Sequence, residues 1–347
     1  MLGTDIGIDL GTSTTLIHVK GHGIVLREPS AVAIDRRTDK ICAIGEEAYR
    51  MLGRTNPNLA VYFPLQQGVI SDYALAEEMV GFFLKKICGY RIWKPSVVVC
   101  MPSIVTGVEQ RALIKAIHGS GARKVCPVDE PIASALGAGI DISTARGRMV
   151  VDIGGGTTDI AVISLYGISN ATSVRLAGND FNHAIVKYVR HTFGLLIGER
   201  MAEQLKMEVG CVCHMEEPKV ALAKGRDILS GLPRSVEVTS DHLLEAMKEP
   251  LDLIMSSIKS ILEDTPPELS GDIYQDGILV SGGGALLGGM SQWILENTGC
   301  HAIIPEDPVE CVALGTGKAF SCLDKLHGGL YQYQTIENTY NNQKGQE

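Results

Sequence analysis

The chain has 347 residues, 45% of them hydrophobic and 5% aromatic, with 39 glycines; this fits two α/β domains with many tight turns and excludes a disordered or fibrous chain. Its net charge of −9 argues against a general nucleic-acid binder. The same charge is compatible with a nucleotide, because backbone N–H groups and Mg2+ can hold phosphates.

In chain order, the first 30 residues predict strands at 5–8, 15–19 and 24–27, the first two joined by a turn of small residues. Residues 97–101 read as a buried strand and 108–118 as a helix. A second meander follows, with strands at 148–151, 159–164 and 172–176, and then a helix at 181–193. Cys211-Val212-Cys213-His214 offers two thiols and an imidazole for zinc, but no second CxxC or HxxxH lies nearby to complete four ligands. The nine cysteines are scattered, and read as reduced, mostly buried thiols. Residues 241–263 carry apolar side chains at a period near 3.6, from Leu243 to Leu262. Pro250 is expected to split this stretch into two helices, and Pro266-Pro267 to end it. Residues 277–280 read as another buried strand, and the polar, aperiodic tail (326–347) as disordered. Met1-Leu2-Gly3-Thr4-Asp5 lacks the basic and apolar regions of a signal peptide, and no apolar run has transmembrane length. The cytoplasm is therefore the expected location.

The two meanders share a pattern. Asp9-Leu10-Gly11-Thr12-Ser13-Thr14-Thr15 matches Asp152-Ile153-Gly154-Gly155-Gly156-Thr157-Thr158 at an offset of 143 residues, with the Asp, one Gly and both Thr coincident. Two related halves, each presenting a loop of phosphate size, imply a ligand cleft between them. Glycines at 154, 155 and 156 let the backbone approach phosphate oxygens and aim N–H groups at them. Asp9 and Asp152 are expected to face each other across the cleft and to suit Mg2+ held mostly through water. Either one alone would also suit a turn cap; the duplication favours the metal.

These loops, with Leu279-Val280-Ser281-Gly282-Gly283-Gly284-Ala285, resemble the three nucleotide motifs of the actin, Hsp70 and sugar-kinase superfamily. Within it the chain resembles the MreB and Mbl bacterial actins over residues 3–325, through Glu28-Pro29-Ser30, Asp129-Glu130-Pro131, Ile197-Gly198-Glu199-Arg200 and Thr265-Pro266-Pro267 among others. The resemblance implies two related RNase H-like α/β domains with ATP between them. Domain I would be 1–145 (IA 1–32 and 64–145, IB 33–63) and domain II 146–325 (IIA 146–178 and 242–325, IIB 179–241). It assigns Gly11, Thr12, Ser13, Thr14, Gly154, Gly155 and Gly156 to the phosphates, and Glu203, Lys206, Gly282, Gly283, Gly284 and Ala285 to the adenosine. Glu130 and Thr157 would position the attacking water. Glu130 also suits a helix start at Pro131, and Glu203 and Lys206, three apart, also suit a surface ion pair. The family usually has Asn at the position of Thr14 and Glu at that of Asp159.

The resemblance further implies a slow ATPase coupled to head-to-tail polymerisation, with paired protofilaments at the inner face of the cell membrane and membrane proteins of the cell-wall machinery as partners. Gly89-Tyr90-Arg91-Ile92-Trp93-Lys94-Pro95 occupies the family's membrane-insertion loop, with Ile92 and Trp93 at its tip. Trp suits the lipid interface and Arg91 and Lys94 suit anionic headgroups, whereas the alternative buries Ile92 and Trp93 in the protein's own core. An Hsp70-type chaperone would be expected to carry a substrate-binding domain after the ATPase region, where a short polar tail is read instead. A small-molecule kinase or a non-polymerising ATP-dependent regulator remains as the alternative.

Overall fold

The computed structural model describes residues 5–89 and 94–326. Strands β1 (Asp5–Leu10), β2 (Thr14–Val19) and β3 (Gly23–Pro29) form the first antiparallel meander. Strands β4 (Val32–Asp35), β5 (Lys40–Ile44) and β6 (Leu59–Tyr62) make a separate small sheet, with the short helix α1 (Glu46–Met51) between β5 and β6. The hairpin β7 (Leu65–Gln66) and β8 (Val69–Ile70) leads into helix α2 (Tyr73–Cys88). Strands β9 (Ser96–Met101) and β10 (Lys124–Asp129), linked by helix α3 (Gly107–Gly119), extend the first sheet in parallel, and helix α4 (Glu130–Gly137) follows. α3 begins at a full capping box between Thr106 and Glu109.

The second lobe repeats this plan. Its meander is β11 (Arg148–Ile153), β12 (Thr158–Ser164) and β13 (Gly167–Val174), followed by helix α5 (Gly178–Phe193). β14 (Leu195–Leu196), helix α6 (Glu199–Val209), β15 (Val220–Asp227) and β16 (Pro233–Thr239) carry a small three-stranded sheet. Helices α7 (Ser240–Glu263) and α8 (Pro267–Asp276) precede β17 (Ile278–Ser281) and a 3-10 turn over Gly283–Leu286. Helix α9 (Met290–Thr298), β18 (Ala302–Ile303) and helix α10 (Cys311–Ala319) complete the lobe.

The sheet orders make the duplication explicit: β3-β2-β1-β9-β10 in one lobe and β13-β12-β11-β17-β18 in the other. In each, the first strand of the meander pairs in parallel with a later strand, so its carboxyl end opens toward a crevice. β9 and β17 are apolar without alternation and buried along nearly their whole length, as befits central parallel strands covered on both faces.

Each lobe has its own apolar core, and a third cluster joins them. That seam takes Val98 and Val128 from one sheet, Val150 and Leu279 from the other, and Ile132 and Ala319 from α4 and α10. α4 and α10 cross backbone against backbone. A Cβ at Gly315 would overlap the Ala133 carbonyl, and one at Gly137 the Cys311 carbonyl, so glycine permits the close approach.

α7 corrects one expectation. It is a single 24-residue helix with Pro250 inside it, not two helices. An internal proline costs about 3 kcal/mol or more. Leu243, Met247, Leu251, Ile254, Met255, Ile258 and Ile261 are all buried on one face of α7, spanning both sides of the proline. At about 1.5–3 kcal/mol per buried side chain, that stripe outweighs the break. Six of the nine cysteines are buried.

Candidate functional site

The strongest local repetition lies where each meander turns. Gly11 N–H donates to the Thr14 carbonyl at 3.2 Å, and Gly154 N–H to the Thr157 carbonyl at 2.9 Å, the same bond 143 residues later. Each loop is thus a closed turn that leaves its intervening N–H groups free to face a ligand. The two loops also face one another. A Cβ at Gly156 would sit 2.9 Å from Cβ of Thr12, and one at Gly155 would sit 2.8 Å from Cβ of Ser13. Ser13 Oγ reaches across to Asn179 Oδ1 at 3.2 Å. Asn179 lies at the amino end of α5, whose first N–H groups dock on the second loop: Gly178 and Asn179 donate to the carbonyls of Gly154 and Gly155.

Between the loops lies a cavity of about 370 Å3. It brings together Asp9, Gly11, Thr12, Ser13, Thr14, Glu130, Asp152, Gly154, Gly155, Gly156, Thr157, Glu203, Lys206, Gly282, Gly283 and Gly284. Ala285 is the exception. It is buried in the 3-10 turn and packs into the second lobe's core, off the cavity wall. Gly282 has φ +77°, and a Cβ there would meet Asp152 Oδ1 at 2.6 Å, so only glycine lets this turn lie against the carboxylate.

Asp9 and Asp152 stand one residue before the ends of β1 and β11. Cys100 Sγ donates to Asp9 Oδ1 at 3.3 Å, and Ser281 Oγ donates to Asp152 Oδ2 at 2.8 Å. Ser281 is in turn within 2.6 Å of the Ser134 hydroxyl on α4. Burial raises the pKa of Asp9 to about 6 and that of Asp152 to about 7; the charge of Asp9 adds to the shift at Asp152. Glu130 is pushed well above the usual range by burial first, then by Asp159, Asp152 and Asp9. Its remaining accessible surface is on the cavity wall. Asp159, opposite Asp152 in the β11–β12 register, is fully buried and accepts from Ser103 N–H at 2.9 Å. Among the described residues none of these four carboxyls has a Lys, Arg or His ion-pair partner. Asp9 and Asp152, the two of them near the strand ends, are of the kind that suits Mg2+ held mostly through water.

The expected helix start moves by one residue. α4 begins at Glu130 itself, with Asp129 at the cap position and no side-chain cap. A carboxyl driven toward its neutral form gains little from the helix dipole, so the surroundings of Glu130 are those of the cavity and not of a cap.

On α6, Glu203 and Lys206 both line the cavity, but they do not pair with each other. Lys206 Nζ donates to the Gly178 carbonyl at 2.8 Å, and Glu203 accepts from the Tyr49 hydroxyl. Among the described residues Lys206 is the one Lys or Arg on the wall, and burial lowers its pKa to about 8. The sequence reading missed Asn179 and the apolar wall of Met207, Leu286, Leu287, Val309 and Val312. Met207 was within reach, since it follows Lys206 on the same helix. Val309 and Val312 carry no motif and are brought in only by the tertiary fold.

Cys211 Sγ donates to the Ser240 carbonyl, Cys213 Sγ to that of Gly289, and His214 Nδ1 lies 3.1 Å from Asp241. These three side chains are directed to separate partners, and no metal-holding group of three or more His, Cys, Asp or Glu was found among the described residues. Ile92 and Trp93 lie outside the described residues, as does the tail beyond 326.

The MreB/Mbl protein family model matches residues 3–328. The chain belongs to the MreB/Mbl family. MreB of Escherichia coli K12, a cell shape-determining protein, is 45% identical over 337 residues, covering 95% of this chain and 96% of that one. Mbl of Bacillus subtilis 168, also cell shape-determining, is 45% identical over 327 residues, covering 94% and 98%. The crystal structure of MreB 5 of Spiroplasma citri bound to AMPPNP superposes with a TM-score of 0.89 at 35% identity, covering 95% of this chain and all of that one. A MamK double helical filament matches with a TM-score of 0.78 at 22% identity, which shows the fold alone. The fold of this MreB/Mbl member is therefore actin-like, as its three nucleotide motifs implied.

Proposed function

We propose that this MreB/Mbl protein binds ATP in the cavity between its two loops, hydrolyses it slowly, and assembles head to tail into filaments at the inner face of the cell membrane that organise cell-wall synthesis and rod shape. The observation that carries this reading is the pair of identically closed turns facing each other across one cavity, in a chain whose structural relative from Spiroplasma citri has been solved with AMPPNP and with ADP. The N–H groups of both loops would receive the phosphates, with the amino end of α5 bracing the second loop from behind. Gly282, Gly283 and Gly284 would admit the adenosine against α6, with Lys206 and Glu203 beside it.

The fit to Mg2+ rests on Asp9, partly buried, and Asp152, buried, which line one cavity and have no Lys, Arg or His ion-pair partner among the described residues. Bound there through water, Mg2+ would neutralise charge on the phosphates. Glu130 and Thr157, which line the same cavity from opposite lobes, would orient a water toward the terminal phosphate. With its pKa raised, Glu130 serves to orient that water through hydrogen bonds more than to take its proton. No described helix is long and apolar enough to cross a membrane; by the resemblance to the family's membrane loop, membrane contact would fall to Ile92 and Trp93. Two such side chains contribute about 1.5–3 kcal/mol each at best. One subunit would bind weakly, and a filament would bind by avidity.

Sedimentation with Mg-ATP tests the reading: the protein should pellet, and electron microscopy on lipid should show paired protofilaments. Persistent monomers across nucleotides and lipids would contradict it. Phosphorylation of a small acceptor would favour the kinase alternative instead.

A further inference from the structure

The lobes also touch at the cleft mouth, away from the phosphate loops. There α1 of the first lobe meets α6 of the second. The Tyr49 hydroxyl donates to the Glu203 carboxylate. Arg200, three residues before Glu203, lays its guanidinium 5.5 Å from the centre of the Tyr49 ring, and its Nη1 reaches the Arg50 carbonyl at 3.5 Å. Burial, then the bond to Glu203 and its charge, hold the Tyr49 phenol firmly in its protonated, donating form. The Tyr49 ring is itself seated on a small apolar cluster of Ala31, Ala33, Ala43 and Ala48.

Glu203 is the pivot of this contact because it also forms part of the inner cavity wall. Outside the contact lies a second, wider cavity of about 620 Å3, lined by Tyr49, Phe63, His183 and Arg200, among others. It shares Thr14, Asn179 and Glu203 with the inner one, so the two form one continuous cleft. The Tyr49–Glu203 bridge thus spans the cleft where inner and outer spaces meet. Parting the lobes there would break the phenol–carboxylate bond, the stacking of Arg200, and the Arg200 bond to the backbone together.

We propose that Tyr49 is a positioning residue of the nucleotide site, holding Glu203 at the adenosine wall from the opposite lobe and, with Arg200, latching the cleft over bound nucleotide. The latch rests on the reading of the inner cavity as the ATP site. It makes nucleotide release depend on a contact that no phosphate-loop residue supplies. A hydrogen bond to a charged group contributes more than a neutral one, so the hydroxyl is the dominant element. Tyr49→Phe removes it while leaving the ring, its apolar seat and the Arg200 stacking in place.

The test is a chase of radiolabelled ADP by excess unlabelled ADP, with full-length protein kept too dilute to assemble. Tyr49→Phe should release ADP about tenfold faster than the unsubstituted protein, with cooperative unfolding of the nucleotide-free protein retained. In a Glu203→Ala background the same substitution should add nothing, because Tyr49 acts through Glu203. Release within twofold of the unsubstituted rate overturns the latch, as does an equal acceleration in both backgrounds. If the unsubstituted protein binds no ADP or ATP, the nucleotide reading fails and the latch with it. Binding with a Tyr49-independent release rate refutes the latch alone.

Discussion

Gly156→Ala is the sharpest perturbation of the facing loops. The added methyl would stand 2.5 Å from Thr12 Oγ1, 2.9 Å from its Cβ and 3.0 Å from its Cγ2. Carbon atoms prefer about 3.5–4.0 Å, so the loops must part by roughly 0.5–1 Å. Thr12 cannot easily swing away, since its Oγ1 accepts from Gly68 N–H at 2.9 Å and the residue is buried. Hydrogen bonds from loop N–H groups to phosphate weaken steeply beyond about 3.2 Å. Losing one bond to a charged oxygen, at about 1.5–3 kcal/mol, should weaken ATP binding by about 10-fold to about 150-fold. Isothermal titration with Mg-ATP reads this directly. Gly271→Ala is the control, because a Cβ there meets nothing within 4 Å. ATP affinity within twofold of the unsubstituted protein in Gly156→Ala would refute the idea that the two loops grip one phosphate chain.

Further expectations follow from the acidic cluster, the cores and the membrane loop. Asp9 and Asp152 have folded pKa values of about 6 and about 7, above an unfolded value of 3.8, so the folded state holds their protons longer. Nucleotide-free protein should therefore lose stability as pH rises from about 4 to about 7, and Asp152→Asn should flatten that slope in denaturant titrations. Ile254→Ala, in the fully buried stripe of α7, should cost about 2–5 kcal/mol by urea unfolding. Gly315→Ala forces α10 off α4 and should cost about 1–3 kcal/mol or more, seen as a lowered unfolding midpoint. Trp93→Ala should reduce co-sedimentation of filaments with anionic liposomes while leaving pelleting without lipid unchanged.

Much of this was legible because the chemistry is local. The duplicated turn needs small residues in a row, and that requirement is written into residues 9–15 and 152–158. The sheet strands were found from their apolar runs, although β1 and β11 each extend two residues further than expected, which carries Asp9 and Asp152 inside the strands. Pro250 was misread because local propensity favours a break, whereas the buried face of α7 is a tertiary effect. Ala285 was carried with its glycine neighbours, but a 3-10 turn rotates it into the core. Tyr49 had no motif at all. Its role depends on α1 and α6 meeting across 154 residues of sequence, which no local pattern encodes.

The most direct measurement is a titration of the nucleotide-free protein with AMPPNP, with and without Mg2+, in the unsubstituted chain and in Asp152→Asn. Two facing loops over a shared acidic pair should give saturation at one nucleotide per chain, tightened by Mg2+, with that tightening lost in Asp152→Asn. Absence of saturable binding, or binding indifferent to both Mg2+ and Asp152, would contradict the site described between the lobes.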